Sequence, residues 1–207
     1  MTCWGILSDI HGNLSALEAA IARCREHGAE RFAVLGDNLG KGDAAGCVER
    51  IRVLADVSIV GNRDLDWSDR CGPLARDYVL ALPPLARTDD FVATHGDARL
   101  TCDLSSNDIR SGFPRARRWL AQEDVCVWVF GHTHRARVWR LPAEGDPNLL
   151  FDAASDPLPA TISLAGDESG THWAVNVGSV GLPFPGKGPP SCAVYDSAAE
   201  TVILLPI

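Results

Sequence analysis

Five short blocks of metal-ligand residues follow one another along the chain, and each comes directly after an apolar run of strand-like composition. The blocks are Asp9-Ile10-His11, Gly36-Asp37-Asn38, Gly61-Asn62-Arg63-Asp64, His95-Gly96-Asp97 and Gly131-His132-Thr133-His134. The apolar runs cover residues 4–7, 32–35, 57–60, 91–94 and 125–130. Short apolar runs bounded by Gly, Asn and Asp are typical of strands. The polar groups therefore lie where strands end, the edge at which α/β sheets gather catalytic groups.

The segment between the first two apolar runs predicts an amphipathic helix. Apolar residues repeat there at spacings of three and four, Asn13 can cap the helix, and Gly28 ends it. A strand, a helix and a strand in succession imply a parallel pair joined by a right-handed crossover. Further helices are predicted over 47–54, between 68 and 82, and over 114–121, where Pro114 suits the first turn.

Beyond His134 the pattern changes to short strands. They are predicted over 136–141, 149–151, 161–164, 173–177, 191–195 and 201–205, and they resemble antiparallel hairpins. No repeat, low-complexity tract or linker divides the chain, and 207 residues suit one core better than two. We expect a single domain over residues 1–207, with α/β order followed by β.

Composition restricts the partners of the chain. A net charge of −8 and a pI near 5.1 disfavour long nucleic acids, whose phosphate backbone binds to basic surfaces. The densest basic cluster, at Arg115, Arg117 and Arg118, is interpreted as a solvated helix face. No signal peptide fits before the first strand, and no apolar run approaches the roughly 18 residues that span a bilayer. We expect a cytoplasmic protein without membrane contact, and the oligomeric state stays open.

The seven cysteines are interpreted as reduced and mostly buried small apolar residues. They form no Cys-x-x-Cys pair, and an odd number cannot form a closed set of disulfides. They are Cys3, Cys24, Cys47, Cys71, Cys102, Cys126 and Cys192.

The donor types of the five blocks predict which metals bind. Asp, His and Asn without cysteine supply oxygen and nitrogen donors, which suit Mn, Fe, Zn, Ni or Mg better than a thiolate site would. Two ions about 3.5–4 Å apart require an anionic bridging ligand that offsets their repulsion, and Asp37 is the natural candidate. We expect two divalent ions, with manganese favoured.

As an ordered set, the blocks resemble those of the calcineurin-like metallophosphoesterases. The closest pattern is that of small single-domain bacterial and archaeal phosphodiesterases, and the similarity runs from Asp9 to about Pro183. It includes residues 176–181, Asn-Val-Gly-Ser-Val-Gly, which are similar to the late Asn-Pro-Gly-Ser segment of the family. The resemblance implies a four-layer αββα sandwich of two mixed β-sheets flanked by helices, with the site at one end.

The resemblance also implies the ligands and the reaction. One metal would bind Asp9, His11, Asp37 and His134, and the other would bind Asp37, Asn62, His95 and His132. The implied reaction is hydrolysis of a phosphodiester or phosphomonoester by in-line attack of a metal-bridging hydroxide, with diesters favoured. The substrate would be a small phosphorylated molecule. The residues expected to act in catalysis are Asp37, Asn62 and His95, which match the family pattern, and Arg63, which does not.

Arg63 departs from the pattern of many relatives, which have a histidine there as the acid for the leaving group. Arginine cannot act as an acid near neutrality. Two interpretations stay open: Arg63 binds a non-bridging phosphate oxygen, or it forms an ion pair with Asp64 or Asp66. Without a dedicated acid, the enzyme would favour leaving groups that are stable as anions, such as phenolates or phosphates.

The sequence also suggests roles for four further polar residues outside the predicted ligand set. Asn38 and Asp97 are expected to orient metal ligands, and Asn38 is also a candidate substrate contact. His172, beside Trp173, is either structural or a substrate-binding acid. His27 is interpreted as a favourable charge at a helix C-terminus.

A non-catalytic scaffold is the alternative function, because the same superfamily includes a protein-binding subunit with this fold. Loss of several ligand residues would favour the scaffold, and all seven ligand positions are filled in this chain. A nuclease is a weaker alternative because of the acidic balance.

Overall fold

The computed structural model describes residues 2–96, 113–166 and 169–207, and Asp97, Cys102 and the side chain of Arg115 lie outside the described residues. The helices are α1 Leu14–Glu26, α2 Ala44–Leu54, α3 Asn62–Trp67, α4 Pro73–Leu80 and α5 Phe113–Glu123, with a 3-10 turn at Ser68–Arg70. The strands are β1 Cys3–Leu7, β2 Arg31–Val34, β3 Val57–Ser58, β4 Leu85–Arg87, β5 Val92–Thr94, β6 Val127–Phe130, β7 Arg137–Leu141, β8 Asn148–Asp152, β9 Ala160–Ser163, β10 His172–Asn176, β11 Ser191–Asp196 and β12 Thr201–Pro206.

The strands form two mixed six-stranded sheets. The first has the order β3-β2-β1-β11-β12-β9, and the second has the order β4-β5-β6-β10-β7-β8. In the first sheet β1, β2 and β3 are parallel, as the strand, helix and strand pattern predicted. In the second sheet β5, β6 and β10 are parallel. Each sheet therefore has three parallel strands whose carboxyl ends meet at one edge.

Successive side chains of a strand point alternately to the two faces of its sheet, and this divides the core into layers. In β1, Trp4 and Ile6 face the interior between the sheets, while Leu7 belongs to a separate cluster with residues of α1 and α2. In β6, Val127 and Val129 face the shared interior, while Trp128 packs with residues of α5. Because every second side chain of a strand points to the same face, both sheets bury both faces. The result is the expected four-layer αββα sandwich.

Local structure agrees with most predictions. The helix predicted between 68 and 82 is α4, which begins only at Pro73, where Gly72 before it has a positive φ of 83°. Helix α3 and strand β4 were not predicted. The later strands form the hairpins β7–β8 and β11–β12, but β10 also pairs in parallel with β6, and β9 pairs with β12.

The described cysteines are free, as predicted, but not all of them are buried. Cys24, Cys47 and Cys192 are buried, Cys3 and Cys71 are half-buried, and Cys126 is exposed. Cys126 was predicted within a strand, but β6 begins one residue later. No helix in the described parts of the chain combines the length and apolar composition that crossing a bilayer requires.

Candidate metal centre

The loops that carry the predicted ligands meet at the carboxyl ends of the parallel strands. The main chain of Asp9, after β1, donates to the Gly36 carbonyl after β2 at 3.0 Å, and that of His11 donates to the Asp37 carbonyl at 2.8 Å. The second sheet contributes directly, since the His132 amide donates to Asp9 Oδ2 at 2.8 Å. The site is therefore built from both sheets at one end of the sandwich.

The ligand residues have an uncommon backbone conformation. Within the described residues, seven non-glycine residues have a positive φ, and five of the seven are predicted ligands. Those five are Asp9, His11, Asp37, His132 and His134. Left-handed conformations cost of order 1–3 kcal/mol per residue and persist only where the surrounding structure enforces them. The strain is thus concentrated where side chains from several loops must point to one place.

Four of the ligands form a compact group. One donor atom each from Asp9, His11, Asp37 and His134 lies within 4.8 Å of the others. His134 Nε2 is 3.1 Å from Asp9 Oδ1, and His11 Nε2 is 3.7 Å from Asp37 Oδ2. These are the same four residues that the resemblance assigned to one metal.

The other predicted ligands lie near the same carboxylate or beside one another. His95 Nε2 is 3.4 Å from Asp37 Oδ2, and the His132 Nδ1 is 3.1 Å from Asn62 Oδ1. The rings of His95 and His132 have centroids 5.2 Å apart. Asp37 Oδ2 is therefore close to His11 of the first group and to His95 of the second, which is compatible with a bridging carboxylate.

Two atoms of the centre are buried without a hydrogen bond. Asp9 Oδ1 and His95 Nε2 have no solvent access, and their contacts with His134 Nε2 at 3.1 Å and Asp37 Oδ2 at 3.4 Å lack hydrogen-bond geometry. Leaving buried polar atoms unpaired is costly, and such atoms usually have a ligand or water as partner. A carboxylate oxygen and an imidazole nitrogen are donors that a divalent ion accepts, so the residues fit a metal.

The ionisation of the centre also fits cation binding. Burial by itself would raise the pKa of Asp9, but His11 and His134 outweigh burial and hold it well below its usual range. Burial would lower the pKa of His95, yet the charge of Asp37 raises it to about 10. Positive charge is therefore favoured between these carboxylates, and a metal ion can take the place of the protons.

Main-chain carbonyls orient two of the imidazoles. His95 Nδ1 is 2.7 Å from the Leu35 carbonyl, which leaves Nε2 directed at the carboxylates. His134 Nδ1 contacts the Leu182 carbonyl in the same way. Such contacts fix ring orientation and select the tautomer that can bind a metal.

Asp64 connects the loops that carry Asp37 and Asn62. Its buried carboxylate accepts hydrogen bonds from the main chain of Asn38, Leu39 and Gly61 at 2.7, 2.8 and 2.9 Å. Burial, together with the nearby charge of Asp37, raises the pKa of Asp64 to about 6. From the sequence, Asp64 was interpreted only as a possible ion-pair partner of Arg63. Its position in the third block of ligand residues was the feature that could have indicated its role in holding the loops.

The late segment around residues 176–181 holds the first and fifth loops together. Asn176 Nδ2 donates to the Gly131 carbonyl at 2.7 Å and to Thr133 Oγ1 at 2.9 Å. Ser179 Oγ and the Gly181 amide both donate to the Asp9 carbonyl at 3.0 Å. The segment therefore helps to position the loops that carry the candidate ligands.

An open cavity of about 710 Å³ lies over the centre. Of the predicted substrate contacts, Arg63 lines the cavity, and its guanidinium is 3.2 Å from Asp66 in an exposed pair. Arg63 therefore forms the predicted ion pair with Asp66. Asp64 accepts hydrogen bonds from main-chain amides instead.

Asn38 and His172 are not where a substrate contact would be. Asn38 is fully buried, and its amide donates to Asp64 at 3.3 Å, which fits the orienting role and not the substrate contact. His172 begins β10, whereas Asn176 at the other end of that strand contacts the ligand loops. Four residues of extended strand separate them by about 13 Å. His172 is buried and its pKa is lowered by burial, which fits the structural interpretation better than the substrate-binding one.

His27 lies at the end of α1, as predicted, where its Nδ1 is 2.9 Å from the Arg23 carbonyl.

Five residues that line the cavity were not predicted as site residues from the sequence: Lys41, Trp67, Leu182, Phe184 and Lys187. None has a metal-ligand side chain, so the block pattern gave no signal for them.

Comparison with known proteins identifies relatives of the chain. A sequence model of the calcineurin-like phosphoesterase superfamily domain matches residues 3–200. An uncharacterized protein of Methanocaldococcus jannaschii is 38% identical over 79 residues, an alignment that spans 34% of this chain and 32% of that protein. The match thus covers about a third of the relative's length.

Solved structures share the fold. A metallophosphoesterase from Sphaerobacter thermophilus superposes with a TM-score of 0.79 at 23% identity, covering 100% of this chain and 88% of that one. A hypothetical protein from Pyrococcus horikoshii OT3 superposes with a TM-score of 0.64 at 16% identity, with coverage of 100% and 88%.

Proposed function

The chain belongs to the calcineurin-like phosphoesterase superfamily, and from this premise we propose that it hydrolyses phosphoester bonds with two divalent metal ions, phosphodiesters in preference to phosphomonoesters. One observation carries the proposal. Four donor residues lie within 4.8 Å of one another, His95 lies 3.4 Å from Asp37 and His132 lies 3.1 Å from Asn62, while the buried atoms Asp9 Oδ1 and His95 Nε2 make no hydrogen bond. A protein that served only as a scaffold would not need to retain so costly an arrangement.

The proposed metal ligands fall into two sets that share Asp37. Asp9, His11, Asp37 and His134 would hold one ion, and Asp37, Asn62, His95 and His132 would hold the other. Bound divalent ions supply two effects, a lower pKa of coordinated water and compensation of the charge on phosphoryl oxygens. Oxygen and nitrogen donors suit Mn, Fe, Zn, Ni or Mg, and manganese is the metal that we propose among them.

The chain's own residues would hold and orient the substrate. Arg63 lies on the cavity wall, where its planar guanidinium could donate two hydrogen bonds to non-bridging phosphate oxygens. Its main-chain amide donates to Asp37 Oδ1 at 2.7 Å, which ties the start of α3 to the central carboxylate. Because arginine gives up no proton near neutrality, leaving groups that depart as stable anions should react faster than alkoxides.

The proposed substrate is a small phosphorylated molecule. The wall of the cavity carries Lys41, Arg63 and Lys187, although the whole chain has a net charge of −8. Local cations can hold a compact phosphate, whereas a long nucleic acid requires an extended basic surface.

The decisive experiment is hydrolysis of bis-p-nitrophenyl phosphate and p-nitrophenyl phosphate by metal-stripped protein, with and without manganese. We expect manganese-dependent turnover, a higher kcat/KM on the diester, and loss of turnover in Asp37→Asn. The matched control is Asp66→Asn, which makes the same change at another aspartate near Arg63. Asp66 is not in either ligand set, so manganese-dependent turnover should persist in this variant.

Folded protein that hydrolyses neither ester with any of the five metals would refute the proposal and favour the scaffold function. A higher kcat/KM on the monoester would refute only the preference for diesters. Equal rates on aryl and simple alkyl esters would contradict the inferred role of the leaving group.

A further inference from the structure

The chain has 19 basic residues, of which only two are lysines, Lys41 and Lys187. Both line the cavity over the metal centre. Lysine carries a compact, mobile charge, whereas arginine carries a rigid donor fork. All the remaining basic residues are arginines. The two mobile point charges of the chain therefore lie at one site.

Lys187 is held against the metal loop. Its Nζ donates to the carbonyl of Thr133 at 2.8 Å, and Thr133 lies between His132 and His134. Nζ also lies 5.3 Å from the ring centroid of Phe184. An ammonium group offers three donors, so two of the three remain for another acceptor.

Phe184 is an exposed aromatic residue at the mouth of a polar site. The residue is 43% exposed, and the centroid of its ring lies 4.5 Å from that of the His134 ring at an interplanar angle of 33°. Trp67 lines the same cavity, and the Arg70 guanidinium lies 5.3 Å from its ring centroid. Neither metal binding nor binding of a phosphoryl group requires exposed aromatic rings, but a planar ligand would stack on them.

We propose that the substrate carries a planar aromatic group that stacks on Phe184 beside Trp67, and a second phosphoryl group that binds Lys187 and Lys41. This inference rests on the proposed function and narrows its substrate class to aromatic organic phosphates with more than one phosphoryl group, such as nucleoside diphosphates and their esters.

The charges support the second phosphoryl group. The metal ions would compensate the group undergoing hydrolysis, and Arg63 would bind its non-bridging oxygens. Lys41 and Lys187 are then additional cations in a cavity that a single phosphoryl group does not fill. Cations gathered in a chain of net charge −8 indicate an anionic ligand at that place.

Binding to the manganese-loaded protein tests the inference without turnover. The probes are α,β-methylene-ADP, whose bridging carbon resists hydrolysis, and the monomethyl ester of methylenediphosphonate, which has the same two phosphoryl groups without the nucleoside. We expect titration calorimetry to show tighter binding of the nucleotide, and Phe184→Leu to reduce that preference roughly fivefold because aromatic stacking is lost. Leu149→Ala, at an equally exposed apolar residue on β8, is the control and should change neither affinity.

The lysines are tested with the same probes. Lys187→Met should weaken both probes by roughly tenfold, since a charge-assisted hydrogen bond is lost from each, and Lys187→Arg should restore part of the affinity. Lys41→Met should also weaken both probes.

Equal affinity of the native protein for both probes, or an unchanged preference in Phe184→Leu, would overturn the aromatic subsite. Unchanged affinity in both lysine variants would overturn the second phosphoryl site. Either result would leave the proposed function intact if manganese-dependent hydrolysis of bis-p-nitrophenyl phosphate persisted, whereas absence of that hydrolysis would count against the function itself.

Discussion

At the scale of single residues, the metal centre depends on side chains that the backbone holds in strained conformations. Five ligands have positive φ, although none is glycine. The neighbouring glycines have a different function. Gly131, for example, lets the fifth loop approach Ser8 and Asp9 so closely that a methyl group would overlap both side chains. The ligand residues bear the strain, and the glycines beside them provide the space.

Arg63→Ala distinguishes the two interpretations of Arg63. If the guanidinium binds phosphate, we expect kcat/KM on bis-p-nitrophenyl phosphate to fall roughly tenfold to a hundredfold, the value of a charge-assisted hydrogen bond. Asp66→Ala should leave kcat/KM unchanged and alter the free energy of unfolding by about 0.5 kcal/mol or less, because the pair is exposed. If Arg63→Ala kept full activity and lost only stability, Arg63 would be a structural partner of Asp66.

Asp152 makes folding stability depend on pH. Burial would raise its pKa, but hydrogen bonding to Arg135 and the charges of Arg135 and Arg137 lower it. Both guanidinium groups contact its carboxylate, with Arg137 Nε at 3.0 Å from Oδ2. A folded-state pKa below the unfolded value of about 3.9 means that ionised Asp152 stabilises the protein above that pH, and that stabilisation is lost as the pH falls through the folded-state pKa.

We therefore expect Asp152→Asn to be about 1–2 kcal/mol less stable than the native protein at pH 7, because the charged partner of two arginines is lost. The difference should shrink as the pH falls below about 4. Urea unfolding at a series of pH values measures it, and Asp89→Asn, at an exposed carboxylate, is the control. A difference independent of pH would show that the charge of Asp152 contributes nothing.

At the scale of elements, the site requires six parallel strand ends to meet. Main-chain hydrogen bonds join the loops after β1, β2, β5 and β6, and the segment after β10 closes the arrangement through Asn176. The start of α3 brings Asn62 to the centre and Asp64 beneath it. The sequence did not predict α3, because six residues are too few to show an apolar periodicity.

Gly131→Ala tests the close approach of the loops. The added methyl would displace Ser8 and Asp9, so we expect a loss of about 1–3 kcal/mol in stability together with weaker manganese binding. Gly166→Ala is the matched control, because its methyl would meet only ordinary contacts with Thr171 at 3.5 and 3.7 Å. Chemical denaturation and manganese titration measure both effects. Normal manganese affinity in Gly131→Ala would show that the loop relaxes without moving Asp9.

At the scale of the whole molecule, metal binding should stabilise the fold, because the ligands come together only in the folded chain. Stripping the metal should lower the Tm by several degrees, and manganese should restore it. A concentration one hundredfold above Kd corresponds to about 2.7 kcal/mol. Asp37→Asn should abolish most of the manganese-dependent shift, as differential scanning fluorimetry would show. His172→Gln should keep that shift whatever its own Tm, since His172 lies at the far end of β10.

An equal loss of the manganese-dependent shift in His172→Gln would contradict the placement of this histidine away from the centre. No shift in the native protein would show that the centre binds manganese too weakly to affect folding, and would weaken the proposed function.

The sequence by itself determined the candidate ligand residues and most strands, and the family resemblance implied the layer order. These features depend on local pattern: apolar runs, turn residues and side chains with metal donors, each readable within a few positions. Tertiary structure decided which residues share the cavity. It separated His172 from the candidate ligands, buried Asn38, and placed Trp67, Phe184 and Lys187 on the wall of one cavity. These residues are far apart in the chain, so only the packing of two sheets and their loops determines that they meet.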